Sequence, residues 1–196
     1  MKNTIVYVIT GIVLVYVFLI QVDIIQSNME YIVSTVNHKK YRVRILPDKQ
    51  EACDLLGRTH QTLEKVCKLL EKEHKEDERV QRLLTRFPYC MLQESNGKGT
   101  ETSFSINKGE KIVLCVRAKD GSNALVDENL LLFVALHELS HIMTISIGHT
   151  EEFWDNFTFV LEVCQKHNIY KCIDFKSDPK KYCGITVTSS PLQCKA

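Results

Sequence analysis

The chain has 196 residues, 44% of them hydrophobic and 25% charged, and a formal net charge of +1. That length suits one domain with its own core and not two. The even charge balance removes the electrostatic demand for nucleic acid that a basic surplus would signal.

The first segment is apolar. From residue 5 to residue 20 nothing is charged, and Val22, Ile24 and Ile25 carry the stretch past Gln21 and Asp23. A helix that crosses a bilayer needs about 20 apolar residues. Residues 1–25 are therefore expected to be a transmembrane anchor. No Ala-x-Ala-like site follows to mark a cleaved signal. The expected placement is a single-pass membrane protein, held to the membrane through its N-terminal helix. Lys2 on one side and Lys39, Lys40 and Arg42 on the other are too evenly divided to set its orientation.

Residues 26–40 show no period and read as a linker; residues 41–196 read as the folded domain. Alternation over 41–46 predicts a strand, stopped by Pro47 and Asp48. Ala52, Leu55, Leu56, Leu63, Val66, Cys67, Leu69 and Leu70 recur at helical spacing and predict an amphipathic helix over 50–73. The charged run 71–79 is a solvated helix end or loop. A short helix over 80–86 ends before Pro88. Asn96-Gly97-Lys98-Gly99 is a turn. Strands over 103–107 and 111–117 form a hairpin about Lys108-Gly109-Glu110. Asp127 is an N-cap for a helix over 128–147, closed by Gly148. Its first half, Leu130 to Leu136, is apolar on every face and must be buried all round. A further helix over 151–167 turns Phe153, Phe157, Val160, Leu161 and Cys164 inward. Beyond it the pattern is irregular apart from a strand at 185–188. The eight cysteines include no CxxC pair, which argues against a zinc ribbon. We read them as scattered reduced thiols, with disulfides near the C-terminus as the alternative.

The chemistry is concentrated in His137-Glu138-Leu139-Ser140-His141. Positions i and i+4 of a helix share a face, so both imidazoles can reach one zinc ion. Glu138 is rotated from that face but close enough to serve a metal-activated water as general base. With seven histidines in the chain, chance supplies such a match only about 0.02 times. The bland alternative, two buried histidines beside a carboxylate with no metal, is costly to desolvate. A catalytic zinc takes three protein ligands and keeps one position open. His149, just after Gly148, is the expected third ligand. Glu162 on the next helix is its main rival, and Glu151 and Glu152 are weaker ones that more simply serve the helix dipole.

His137-Glu-Leu-Ser-His141, followed by Gly148-His149 and Phe153-Trp154, resembles the WLM-type zinc metallopeptidases, relatives of the SprT-like proteases. The resemblance is strong over about 127–160 and loose over about 41–190. Tyr182-Cys183-Gly184-Ile185 is similar to WLM-like proteins of large DNA viruses. The resemblance implies three histidine ligands, His137, His141 and His149, with Glu138 as base. The expected fold is α+β, a zincin-like metallopeptidase domain with a small sheet packed on the motif helix. The expected function is hydrolysis of peptide bonds in a protein or peptide substrate. That substrate is expected to lie along an edge strand at 111–117. Tyr170, Tyr182 and His167 are candidate oxyanion stabilisers. The alternative is a membrane-anchored interaction or structural protein that keeps the fold without activity.

Overall fold

The computed structural model of the protein describes residues 6–7, 9–18, 28–98 and 102–194. The expected anchor over residues 1–25 is overturned. Among the described residues no helix is long and apolar enough to cross a membrane. Residues 1–5, 8 and 19–27 lie outside the described residues. The single-pass placement is corrected with the anchor, and the membrane partnership is left without support among the described residues.

The chain is α+β, with strands β1 (Met29–Val33), β2 (Lys40–Arg44), β3 (Met91–Glu94), β4 (Phe104–Ile106) and β5 (Lys111–Leu114) in one sheet. Their order is β1-β2-β3-β5-β4, and β6 (Lys180–Tyr182) and β7 (Ile185–Val187) form a separate hairpin. Strands β2, β3 and β5 run parallel, while β1 and β4 are antiparallel edges. The parallel step from β2 to β3 is made through helices α1 (Lys49–His74) and α2 (Glu78–Arg86), as a parallel pair requires. The residues read as a linker thus contain a strand, β1, held by its pairing to β2.

Helix α3 (Glu128–Met143) starts where Asp127 accepts a hydrogen bond from Leu130 N. It lies against α1, α2, β4, β5 and α4 (Glu151–Lys166). That encirclement explains its all-round apolar sequence: Leu130, Leu131, Phe133, Ala135, Leu136, Leu139 and Ile142 are all buried. At Gly109, in the β4–β5 turn, φ is +112° and a Cβ would come within 3.1 Å of Ile142, so the turn can sit against α3 only with glycine there.

Strand β5 is internal, flanked by β3 and β4. The expected edge strand at 111–117 is therefore corrected: the free edge on that side belongs to β4. The cysteines are corrected too. Cys115 is bonded to Cys183 and Cys172 to Cys194, whereas Cys53, Cys67, Cys90 and Cys164 are free and buried. Both disulfides tie the C-terminal segment to the body of the domain.

Candidate metal centre

Helix α3 stops at Met143, one turn short of the expected end, and this positions the third histidine. Its last carbonyls are taken by cations from elsewhere. Arg82 Nε donates to Met143 O at 2.7 Å and Arg86 Nη1 to Ile142 O at 3.3 Å. Lys108 Nζ donates to Thr144 O at 3.0 Å and also to Ser146 O. Cations at a helix C-terminus satisfy orphan carbonyls and oppose the dipole. Thr144 leaves the helix with extended backbone, its hydroxyl accepting from Asn156 Nδ2 at 2.9 Å. Gly148 then takes a φ of +83°, which a side chain would strain, and His149 comes back over the helix.

The result is a cluster. The ring centroids of His137, His141 and His149 form a triangle with sides of 5.0, 4.9 and 5.0 Å. One nitrogen from each lies within 4.8 Å of the others, an arrangement that could hold a metal ion. His137 Nε2 and His149 Nε2 are 3.0 Å apart. Aromatic rings fix the imidazoles from behind: Phe153 stacks on His141 at 4.2 Å, and Phe157 meets His137 edge-on at 5.2 Å. Burial, then the neighbouring imidazoles, pulls His137 down to about 3. Burial, then His149 and Lys108, pulls His141 down to about 4. Both rings are therefore neutral at ordinary pH, the form that binds metals.

Glu138, next to His137 on α3, lines the same cleft as the cluster and is only 4% exposed. Burial pushes its carboxyl up to about 8, against hydrogen bonds from the side chain and main chain of Ser105. Its Oε2 has no hydrogen-bond partner among the described residues. A buried carboxylate oxygen left unpaired is costly unless something else meets it.

The cluster lines a cleft of about 740 Å³ together with residues of β4, α3, α4 and β7. The expected rivals lie elsewhere. Glu162 is exposed on α4, and neither it nor Glu151 lines the cleft. Among the oxyanion candidates, Tyr182 lines the cleft. Its hydroxyl is 2.7 Å from Ser103 Oγ, and burial pushes its phenol well up, so it stays protonated. Tyr170 is buried in the core and His167 pairs with Glu73 on α1; neither lines the cleft. The sequence reading missed Lys108 and Ser105, which flank the site from the β4–β5 hairpin; nothing local to them signals it.

Glu152 has a different task from metal binding. Its Oε1 accepts from Ile145 N at 2.7 Å and its Oε2 from Ser146 N at 2.9 Å. These bonds clamp the loop that delivers His149, and they hold the Glu152 carboxyl down at about 2. A carboxyl depressed in the folded state stabilises it above the unfolded pKa, near 4.5, and loses that effect as pH falls toward 2. Glu152→Gln should lower Tm at pH 7, and its difference from wild type should shrink between pH 4.5 and 2. Zinc affinity should fall about tenfold, the lower end for partners that orient ligands. A Tm difference constant across that pH range would refute the clamp.

The chain is 31% identical over 172 residues to the uncharacterized protein R325 of Acanthamoeba polyphaga mimivirus, covering 86% of this chain and 87% of that one. It is 37% identical over 82 residues to the uncharacterized protein 136R of Invertebrate iridescent virus 6, covering 41% and 44%. The crystal structure of Wss1 from Saccharomyces cerevisiae superposes with a TM-score of 0.49 at 18% identity, covering 64% of this chain and 88% of that one. No protein-family model matches.

Proposed function

The chain belongs to the family of the uncharacterized protein R325 of Acanthamoeba polyphaga mimivirus, and for it we propose a zinc-dependent peptidase, with His137, His141 and His149 as metal ligands and Glu138 as general base. The observation that carries this reading is the convergence of three imidazoles beside a buried carboxylate with an unpaired oxygen. The donor set fits zinc. Tetrahedral zinc with Zn–N bonds of 2.0–2.1 Å sets its ligand nitrogens about 3.3 Å apart, close to the 3.0 Å between His137 and His149. Three protein ligands leave one coordination position for chemistry. Bound there, zinc would polarise the scissile carbonyl and acidify water.

The remaining steps fall to the chain's own groups. The free edge of β4 would hold the substrate extended by main-chain hydrogen bonds. Glu138 Oε2 would take the proton of the attacking water and return it to the leaving amine. A divalent charge nearby favours the ionised carboxylate, which offsets the upward push of burial. The Tyr182 hydroxyl would donate toward the developing oxyanion. An inactive relative of the same fold has no use for a buried base, and the intact Glu138 speaks against that alternative.

The purified full-length chain should carry about one zinc, by elemental analysis, and cleave an unfolded casein-like substrate. Chelation should abolish cleavage and added zinc restore it. A zinc-loaded, folded chain inert toward unfolded protein would refute the proposal.

A further inference from the structure

We propose that the cleft selects peptides with a large apolar side chain beside the scissile bond, and that Ile185 and Val187 of the C-terminal hairpin set this preference; the inference rests on the peptidase reading above. The first argument is charge. Among the described residues that line the cleft, only Lys108 and Glu138 are acidic or strongly basic. The Lys108 ammonium is engaged by the carbonyls of Thr144 and Ser146. Glu138 is buried at the floor. Away from the histidine cluster, a charged substrate side chain entering along the apolar wall would lose its hydration with no free charged side chain to replace it, a desolvation that proteins avoid.

The second argument is the wall itself. Phe133 and Val134 of α3, Phe157 of α4, and Ile185 and Val187 of β7 line the same cleft. Alternate residues of a strand share a face. Ile185 and Val187 therefore look into the cleft together, and Thr186 between them does not line it. Ile185 is left 49% exposed, apolar surface that a substrate side chain would cover. The volume, about 740 Å³, leaves room for a side chain as large as phenylalanine. The wall is fixed in place, because the Cys115–Cys183 disulfide fastens the β6–β7 turn to the chain just after β5. Only the hairpin's distant origin in sequence hides this contribution.

The test is to profile a mixed peptide library with the zinc-loaded full-length chain, mapping cleavage sites by mass spectrometry. Leu, Phe or Met should dominate one position adjacent to the cut, with kcat/KM at least about 100-fold above Asp or Lys there. Val187→Asp should lower kcat/KM for the apolar peptides at least tenfold and raise relative cleavage of peptides with Lys or Arg at that position. Its zinc content should be unchanged, because Val187 lies on β7, apart from α3 and the 144–149 loop that carry the three histidines. Ile185→Ser, at a more exposed site, should weaken the same preference without reversing it, and serves if the aspartate variant fails to fold. Cleavage by the wild type with no preference, or with a charged residue favoured, overturns the inference and leaves the peptidase reading standing. A wild-type chain that holds zinc and cleaves no library member overturns both.

Discussion

Replacing Glu138 with Gln should lower peptide hydrolysis by about 10²–10⁴-fold, the usual contribution of a positioned general base, while zinc content stays near one per chain. The amide has nearly the same shape and can keep an acceptor toward Ser105. It cannot accept a proton at the position of Oε2, the oxygen left without a partner. Folding should not suffer. Burial already disfavours the ionised form of this carboxyl and pushes it up to about 8. Removing a buried ionisable group in that condition relieves a cost rather than adding one. The measurements are elemental analysis, thermal melting and steady-state kinetics on matched preparations. A variant that loses zinc together with activity would show that Glu138 supports the site structurally, and one as active as wild type would remove it from the mechanism.

The contrast between Glu138 and its surroundings shows what the sequence could and could not disclose. Helix α3 was legible because its signals are local: Asp127 caps it, the apolar run demands burial, and the histidine spacing is a property of the helix alone. Its end was not legible. Arg82 and Arg86 come from α2, Lys108 from the β4–β5 turn and Glu152 from α4, and only the folded chain brings them to residues 142–146. Strand β3 escaped notice for a related reason. Its inward Glu94 is 1% exposed and pairs at 2.9 Å with Arg117, itself 2% exposed, so a charge stands where alternation expects an apolar residue. A strand starting at Lys111 is legible, but it ends at Leu114 rather than 117 and lies inside the sheet rather than at its edge, because strand order depends on the distant β3. Tyr182 was one of three equal candidates until the Cys115–Cys183 bond brought its strand to the cleft. The N-terminal reading failed differently: apolar composition alone does not establish a helix long enough to span a bilayer.

His149→Ala should weaken zinc binding by more than the roughly 10–100-fold that loss of an orienting partner costs, while Glu162→Ala should leave it nearly unchanged. The sequence offered both residues. The geometry separates them. His149 Nε2 lies 3.0 Å from His137 Nε2, and its ring is 5.0 Å from that of His141. Glu162 is exposed on α4, whose inner face is occupied by Phe153, Phe157, Val160, Leu161 and Cys164. To reach the cluster it would have to displace that packed face, at several kcal/mol for each large apolar side chain moved. The chemistry differs as well. A third neutral imidazole leaves the full divalent charge on the site, where a carboxylate would cancel half of it. His137→Ala and His141→Ala should each abolish binding, because both project from the rigid helix that defines the site. Competition titrations with a chromophoric chelator, run on each single variant, read the affinities directly. Loss of zinc in Glu162→Ala with retention in His149→Ala would replace the three-histidine site by one with a glutamate ligand, and the WLM-like reading would fall with it.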